Sequence, residues 1–199
     1  MITLNDFSNK DNFYQEYNFK NGIQSCDIGF VRYYGNNPLL LFIRNKICKI
    51  TNGIFNHSFI VGKSSDIIEA EFTGVKINKF IKYVQEKSGV LIFRYNNLPR
   101  NLKKSILSFA YSQVGKKYGY MELLSFIFKT KISDDTTYYC SELVNECYKK
   151  SNITISSKPI VSPNDLFNDI IKNNNFILTD KKNLNTSLIL PTTPTNIFS

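Results

Sequence analysis

The chain has 199 residues, of which 42% are hydrophobic, enough for one folded domain and too many for a wholly disordered protein. Its formal net charge of +9 comes from scattered lysines. Because they form no dense basic block interleaved with aromatic residues, we expect no specific nucleic-acid partner. The excess charge remains compatible with an acidic substrate or with peripheral contact with an anionic membrane.

The N-terminus and the cysteines bear on compartment and cofactors. The chain does not begin with a basic segment followed by an apolar one, and its longest aliphatic and aromatic run, LLLFI at 39–43, is too short to span a bilayer. We therefore expect a soluble protein that stays in the cytoplasm or is exported without a Sec signal. The four cysteines form no CxxC pair and there is one histidine, so we expect reduced thiols, no metal site and no cofactor.

The first half of the chain is typical of strands around one helix. Residues 1–24 are a polar lead-in, and PLLLFIRNKICKITNG predicts a helix over 39–51, with Pro38 in its first turn and Gly53 after its end. The turn KSSD closes a predicted hairpin between the second and third strands. The predicted strands cover 27–33, 57–62, 67–72 and 89–95.

Helices dominate the second half. Leu102, Ile106 and Ala110 fall on one face of a helix that Gly115 ends. Another predicted helix begins at Cys140 and has Leu143, Val144, Cys147 and Tyr148 on one face. Further helices are predicted over 120–128 and over 162–172, the latter with a capping-box-like start at Ser162, Pro163 and Asp165.

Together these elements predict an α+β fold, a central antiparallel sheet with helices packed on it. We assign residues 25–180 to a single domain and residues 181–199 to a C-terminal strand and an extended tail. The run LILPTTPTNIFS at the end of the chain is the basis for that last strand.

Cys140 and His57 are candidates for a nucleophile and its base. A cysteine in the first turn of a helix is exposed to free backbone N–H groups and to the positive end of the helix dipole, which can lower the thiol pKa from ~8.5 into the range ~3.5–7.5. A histidine on a neighbouring strand could take the thiol proton and form a thiolate–imidazolium pair. Taken separately, a lone histidine is more often structural and a free cysteine is more often a small buried hydrophobe.

A third polar group is needed to orient the imidazole. Glu69 lies on the return strand of the hairpin that begins at His57, and Glu71 lies on the same face of that strand. The register therefore does not choose between the two carboxylates. An ordinary exposed carboxylate on an edge strand remains the alternative for either one.

Seven short motifs occur in an order that resembles the YiiX-like branch of the permuted papain-like, NlpC-type cysteine hydrolases. They span about residues 27 to 167 and are DIGFV, HSFIVG, IIEA with TGV, LIFR, VGKKYG, YCSELV and SPNDL. The family's usual glycine before the first aspartate is Cys26 here. Histidine before cysteine in the chain is the permuted order, since papain has its cysteine first.

The resemblance implies a circularly permuted papain-like fold with a triad of Cys140 as nucleophile, His57 as base and Glu69 as the residue that orients the imidazole. It also implies that Tyr118 is a pocket residue and that Asp27 holds a turn; we add Tyr139, beside the nucleophile, as a pocket candidate. The backbone N–H of Cys140 would contribute to an oxyanion hole.

The expected activity is hydrolysis of an amide bond through an acyl-enzyme intermediate. The resemblance allows a peptide, a peptidoglycan stem peptide or an acyl amide as substrate. Two alternatives remain open: a lipid acyltransferase or deacylase that uses the same triad, and a non-catalytic binding module with the same fold. The oligomeric state is not predicted.

Overall fold

The computed structural model describes residues 22–33, 38–85, 88–119 and 137–182. Within these ranges the strands are β1 (Ile28–Tyr33), β2 (His57–Val61), β3 (Asp66–Glu71), β4 (Gly74–Lys79), β5 (Ser88–Tyr95), β6 (Lys117–Tyr118), β7 (Thr137–Tyr138) and β8 (Phe176–Lys182). The helices are α1 (Pro38–Ile50), α2 (Ile81–Gln85), α3 (Arg100–Ser112), α4 (Cys140–Lys149) and α5 (Pro163–Ile171).

Six strands form one antiparallel sheet in the order β4-β3-β2-β1-β5-β8, which confirms the predicted central sheet. β6 and β7 form a separate short parallel pair. The sequence patterns predicted none of β4, β6, β7, β8 and α2. β8 runs across residue 180, where the domain was expected to end.

The two faces of the sheet bury different clusters, as strand alternation requires. One cluster joins Phe30, Ile60 and Ile68 to residues of α3, α4 and α5. The other lies on the opposite face and joins Phe59, Val61 and Ile67 to Phe80 and Tyr83. The sheet is therefore covered by the long helices on one side and by the short α2 region on the other.

The helix α4 is amphipathic in the predicted way. The side chains of Leu143, Val144, Cys147 and Tyr148 are all fully buried. They pack the helix against β2 and β3. Because the buried stripe begins in the first turn, the N-terminus of the helix is held at the sheet.

The helix α5 begins with the predicted capping box. The Ser162 side chain accepts a hydrogen bond from the Asp165 backbone N–H at 3.0 Å, and the Asp165 carboxylate accepts one from the Ser162 backbone N–H at 3.1 Å. The second residue of the helix, Asn164, fixes the segment before β2, because its amide donates to the Phe55 carbonyl and accepts from the Phe55 N–H, each at 2.8 Å.

The turn before β1 explains the glycine that the family usually has there. Cys26 has φ 75°, a left-handed conformation that glycine adopts most easily. Asp27 accepts a hydrogen bond from the Gln24 N–H at 2.7 Å and a two-point ion pair from Arg94, with both distances 2.8 Å. Asp27 thus holds this turn, as expected.

Other predicted segments lie outside the described residues: most of the 1–24 lead-in, the 120–128 helix and the strand and tail at the end of the chain. In the described part of the chain, none of the helices is long and apolar enough to cross a bilayer.

Candidate active site

His57 and Glu69 form a buried pair. His57 Nε2 lies 2.6 Å from Glu69 Oε2, and the two residues are 5% and 0% exposed. The pairing of β2 with β3 places Ile60 opposite Ile68 and Val61 opposite Ile67, so His57 lies beyond this paired part. The contact with Glu69 therefore runs diagonally between the strands.

Three side chains from β4 and α2 hold the Glu69 carboxylate. Tyr83 donates its hydroxyl to Oε2 at 2.5 Å, Asn78 donates its amide to Oε1 at 2.7 Å, and Lys82 Nζ lies 3.2 Å from Oε1. Lys82 also pairs with Glu71 at 2.5 Å. A buried carboxylate needs such partners because burial without them would favour its neutral form.

Cys140 is the first residue of α4, and its side chain faces the imidazole of His57. Since Nε2 bonds to the carboxylate, Nδ1 is the ring nitrogen left for the thiol. The backbone N–H groups of Ser58 and Ser141 are also directed at the sulfur. Tyr139, at the N-cap, makes no side-chain hydrogen bond to the first turn of the helix.

The electrostatics favour an ion pair between the thiol and the imidazole. Burial works against ionisation of Cys140, but the hydrogen bond and charge of His57 and the two N–H groups lower its thiol pKa. Burial likewise disfavours the imidazolium, yet Cys140 and Glu69 raise the pKa of His57 to about 9. For Glu69, burial is outweighed by His57, Lys82 and Tyr83, which lower the pKa to about 2.

In the other three cysteines the thiol pKa is shifted in the opposite direction. Burial raises the thiol pKa of Cys26 to about 12 and raises that of Cys48 and of Cys147. All four cysteines are reduced and buried. Burial therefore does not distinguish Cys140; the histidine and the helix N-terminus do.

A narrow cleft opens over Cys140 and His57. Its free volume is about 10 Å³, close to the smallest space that holds one water molecule. The remaining residues that line it are Arg44, Ile47, Asn56, Ala70, Glu71, Phe72 and Tyr118.

The match to known proteins agrees with this geometry. A family described as permuted papain-like amidase enzyme, YaeF/YiiX, C92 family, matches residues 40–188, which is well over half of the 199 residues. The chain belongs to the C92 family. As a member it has the permuted papain-like fold and is a cysteine peptidase or amidase-type hydrolase. No curated protein matches the sequence.

Of the residues predicted for the site of this C92 hydrolase, the structure brings Cys140, His57 and Glu69 together. Glu71 lies at the edge of the cleft with Lys82 instead. Tyr118 lines the cleft and packs on Phe72, with the ring centroids 5.1 Å apart.

Tyr139, the other predicted pocket residue, lies elsewhere. Its ring belongs to the core cluster on the helix side, and its hydroxyl accepts a hydrogen bond from the Val161 N–H at 2.9 Å. It lines a second cavity of about 820 Å³, on the side of α4 that carries Glu142 and Asn145. Its role in substrate binding stays a prediction.

Sequence reasoning missed the residues that hold Glu69 and the cation in the cleft wall, Arg44. Asn78, Lys82 and Tyr83 belong to β4 and α2, whose short polar sequences carry no strong pattern. The sequence signal available for them was a charged residue next to an aromatic residue after the hairpin, Lys82 and Tyr83, and this signal is weak. In the described residues, no group of three acidic, cysteine or histidine side chains is arranged to hold a metal ion.

Proposed function

We propose that the protein hydrolyses an amide bond, with Cys140 as nucleophile, His57 as general acid and base, and Glu69 as the residue that orients His57. The observation that carries the proposal is the continuous chain of contacts from a thiol at a helix N-terminus, through the imidazole, to a fully buried carboxylate. This is the relation that nucleophile, base and orienting group have in cysteine hydrolases.

In the proposed reaction the thiolate of Cys140 adds to the amide carbonyl carbon and forms a tetrahedral intermediate. The Cys140 N–H, which has no acceptor inside the helix, donates to the oxyanion. His57 gives its proton to the leaving nitrogen as the C–N bond breaks, which leaves a thioester and a free amine. Water then adds to the thioester carbonyl with His57 as base and releases the acid and the thiolate.

The direction of the pKa shifts supports this division of roles. A lowered thiol pKa favours the thiolate, while an imidazole with a pKa of about 9 keeps the proton that the leaving amine needs. Hydrolysis should therefore fall above about pH 9, where His57 loses that proton. It should also fall in acid, where the thiolate is protonated.

For the substrate, we propose a peptide, a peptidoglycan stem peptide or an acyl amide. Transfer of the acyl group to an acceptor other than water is the second candidate activity, because it uses the same thioester. A contact with anionic membrane would suit a lipid amide, and the net charge of +9 supports such a contact.

The first test is the reactivity of Cys140 towards iodoacetamide between pH 5 and 9, followed by mass spectrometry of the labelled peptide. At pH 6 we expect the wild-type thiol to react at least tenfold faster than a free thiol, and His57→Ala to abolish the excess. Cys140→Ser removes the fast phase, whereas Cys147→Ser, one heptad along the same helix, keeps it.

A rate equal to that of a free thiol, unaffected by His57→Ala, would refute the proposal. If the thiol is activated, matched amide and ester substrates should show turnover that Cys140→Ser abolishes. A product that carries the acyl group on an added amine or alcohol would instead assign acyl transfer.

A further inference from the structure

Arg44, on α1, is a cation in the wall of the cleft that holds Cys140 and His57. Its Nη1 is buried and has no hydrogen-bond partner in the part of the chain that the structure describes. A buried guanidinium nitrogen without a partner is costly because it has given up its hydrogen bonds to water. The N–H groups of Arg44 Nη1 can therefore donate a hydrogen bond to a group that enters the cleft.

Contacts with Tyr33 tie this guanidinium to the segment that carries the base. Arg44 Cζ lies 3.9 Å from the centroid of the Tyr33 ring, a stacking contact that leaves the N–H groups able to donate sideways. The Tyr33 backbone in turn donates to the Asn56 amide at 3.0 Å and accepts from it at 3.2 Å. Asn56 precedes His57 and also lines the cleft.

Two carboxylates at this cleft, Glu71 in its wall and Glu69 behind His57, are already engaged. Glu71, which shares the cleft wall, pairs with Lys82, and Glu69 bonds to His57. Among the described residues Arg44 has no ion-pair partner. Its charge acts as far as Tyr83, where it opposes the rise in pKa that burial causes.

We propose that Arg44 binds an anionic group of the substrate, a carboxylate or a phosphate, next to the scissile amide. The inference rests on the proposed function, since it places the anion beside the bond that Cys140 attacks. A guanidinium presents paired N–H donors that match two oxygens of either group. Arg44 thus selects amides that carry a negative charge close to the carbonyl.

The test compares iodoacetate with iodoacetamide as reagents for Cys140, because the two have similar size and differ in a carboxylate. No hydrolysis is needed, so the result is independent of the true substrate. Arg44→Gln should lower the iodoacetate-to-iodoacetamide rate ratio about tenfold, the loss of about one charge-assisted hydrogen bond. Arg44→Lys, which keeps the positive charge, should lower this rate ratio less than Arg44→Gln does.

Lys46→Gln is the matched control, since it removes an exposed cation two residues further along the same helix and should leave the ratio unchanged. The iodoacetamide rate should stay at its wild-type value in Lys46→Gln, and in Arg44→Gln it should fall much less than the iodoacetate rate. A wild-type ratio in Arg44→Gln overturns the inference, and so does an equal fall of both rates, which would mean a damaged site.

Two competitors then distinguish the possible sources of the anion. Protection of wild-type Cys140 by inorganic phosphate assigns a phosphate, and protection by acetate assigns a carboxylate. Equal protection of wild type and Arg44→Gln overturns the inference. A wild-type thiol that reacts with iodoacetamide no faster than a free thiol contradicts the proposed hydrolase while leaving the ratio test readable.

Discussion

At the scale of single residues, the neighbours of Cys140 set its chemistry more than its burial does. Cys140 and Cys147 lie on one helix and both are buried, yet burial raises the pKa of the second thiol while His57 lowers that of the first. The imidazole depends in turn on Glu69, and Glu69 on Tyr83. Removal of a group that contacts Glu69 should therefore change the reactivity of the Cys140 thiol.

Tyr83→Phe tests this dependence. The variant keeps the stacking on Phe59, where the ring centroids are 5.2 Å apart, and removes the hydroxyl that donates to Glu69. Because Glu69 without this hydrogen bond stabilises the His57 imidazolium less, the pH at which Cys140 becomes reactive should rise by about one unit, equivalent to ~1.4 kcal/mol. The pH dependence of iodoacetamide labelling measures the shift.

The control is Tyr111→Phe, which removes a hydroxyl that accepts a hydrogen bond from the Lys63 N–H, away from the cleft. Its labelling profile should match the wild type. If Tyr83→Phe lowers the rate equally at every pH, Tyr83 has only a packing role.

At the scale of elements, α5 helps to place the strand that carries His57. Asn164 holds both backbone groups of Phe55 and donates to Thr51 Oγ1 at 2.7 Å, so one side chain fixes the segment that leads into β2. Gly53 packs on this amide so closely that an added Cβ would lie 2.1 Å from Asn164 Cγ. The motif SPNDL thereby stabilises a position more than a hundred residues earlier in the chain.

We expect Asn164→Ala to destabilise the fold by roughly 2–4 kcal/mol, because it leaves the buried N–H and carbonyl of Phe55 without partners. Cys140 should also label more slowly, since His57 is two residues from Phe55. Denaturant unfolding gives the first quantity and iodoacetamide labelling the second.

Asn174→Ala, at an exposed position after α5, should change the free energy of unfolding by less than about 0.5 kcal/mol. An Asn164→Ala protein as stable as this control would contradict the role given to the amide.

At the scale of the whole molecule, the buried ionic network couples stability to pH. Glu69 has a folded pKa lowered to about 2, so its contribution is present above the ordinary value of 4.5 and is lost as the pH falls towards 2. His57 has a folded pKa raised to about 9, so its contribution is complete below 6.5 and is lost as the pH rises through 9. Both contributions are present between pH 4.5 and 6.5.

Glu69→Gln should therefore be less stable than the wild type at pH 6, and the difference should shrink by roughly 2 kcal/mol by pH 3. Chemical unfolding of both proteins at the two pH values measures the change. Glu146→Gln, on α4 away from His57, serves as the control for removal of a carboxylate. A difference that is constant with pH would show that Glu69 does not carry the lowered pKa.

Much of the fold could be predicted because its central elements carry strong local patterns. The strands β1, β2 and β5 contain apolar runs, β3 follows a clear turn, and the helices α1, α3, α4 and α5 have apolar faces or end signals. β4, in contrast, reads GVKINK and lies at the sheet edge, where one face is polar. Pairing with β3 makes it a strand, and such long-range pairing leaves little trace in the local sequence.

The sequence by itself determined the order of histidine and cysteine, the helix that begins at Cys140 and the hairpin that returns towards His57, since these depend on local periodicity and turns. Only the tertiary structure shows that Glu69, and not Glu71 on the same face of the strand, bonds to His57. The choice depends on β4 and α2, whose Asn78, Lys82 and Tyr83 hold the Glu69 carboxylate. Arg44 Nη1, in the wall of the same cleft, has no hydrogen-bond partner among the described residues, and this too follows from packing, because whether a donor is satisfied depends on groups distant in the chain.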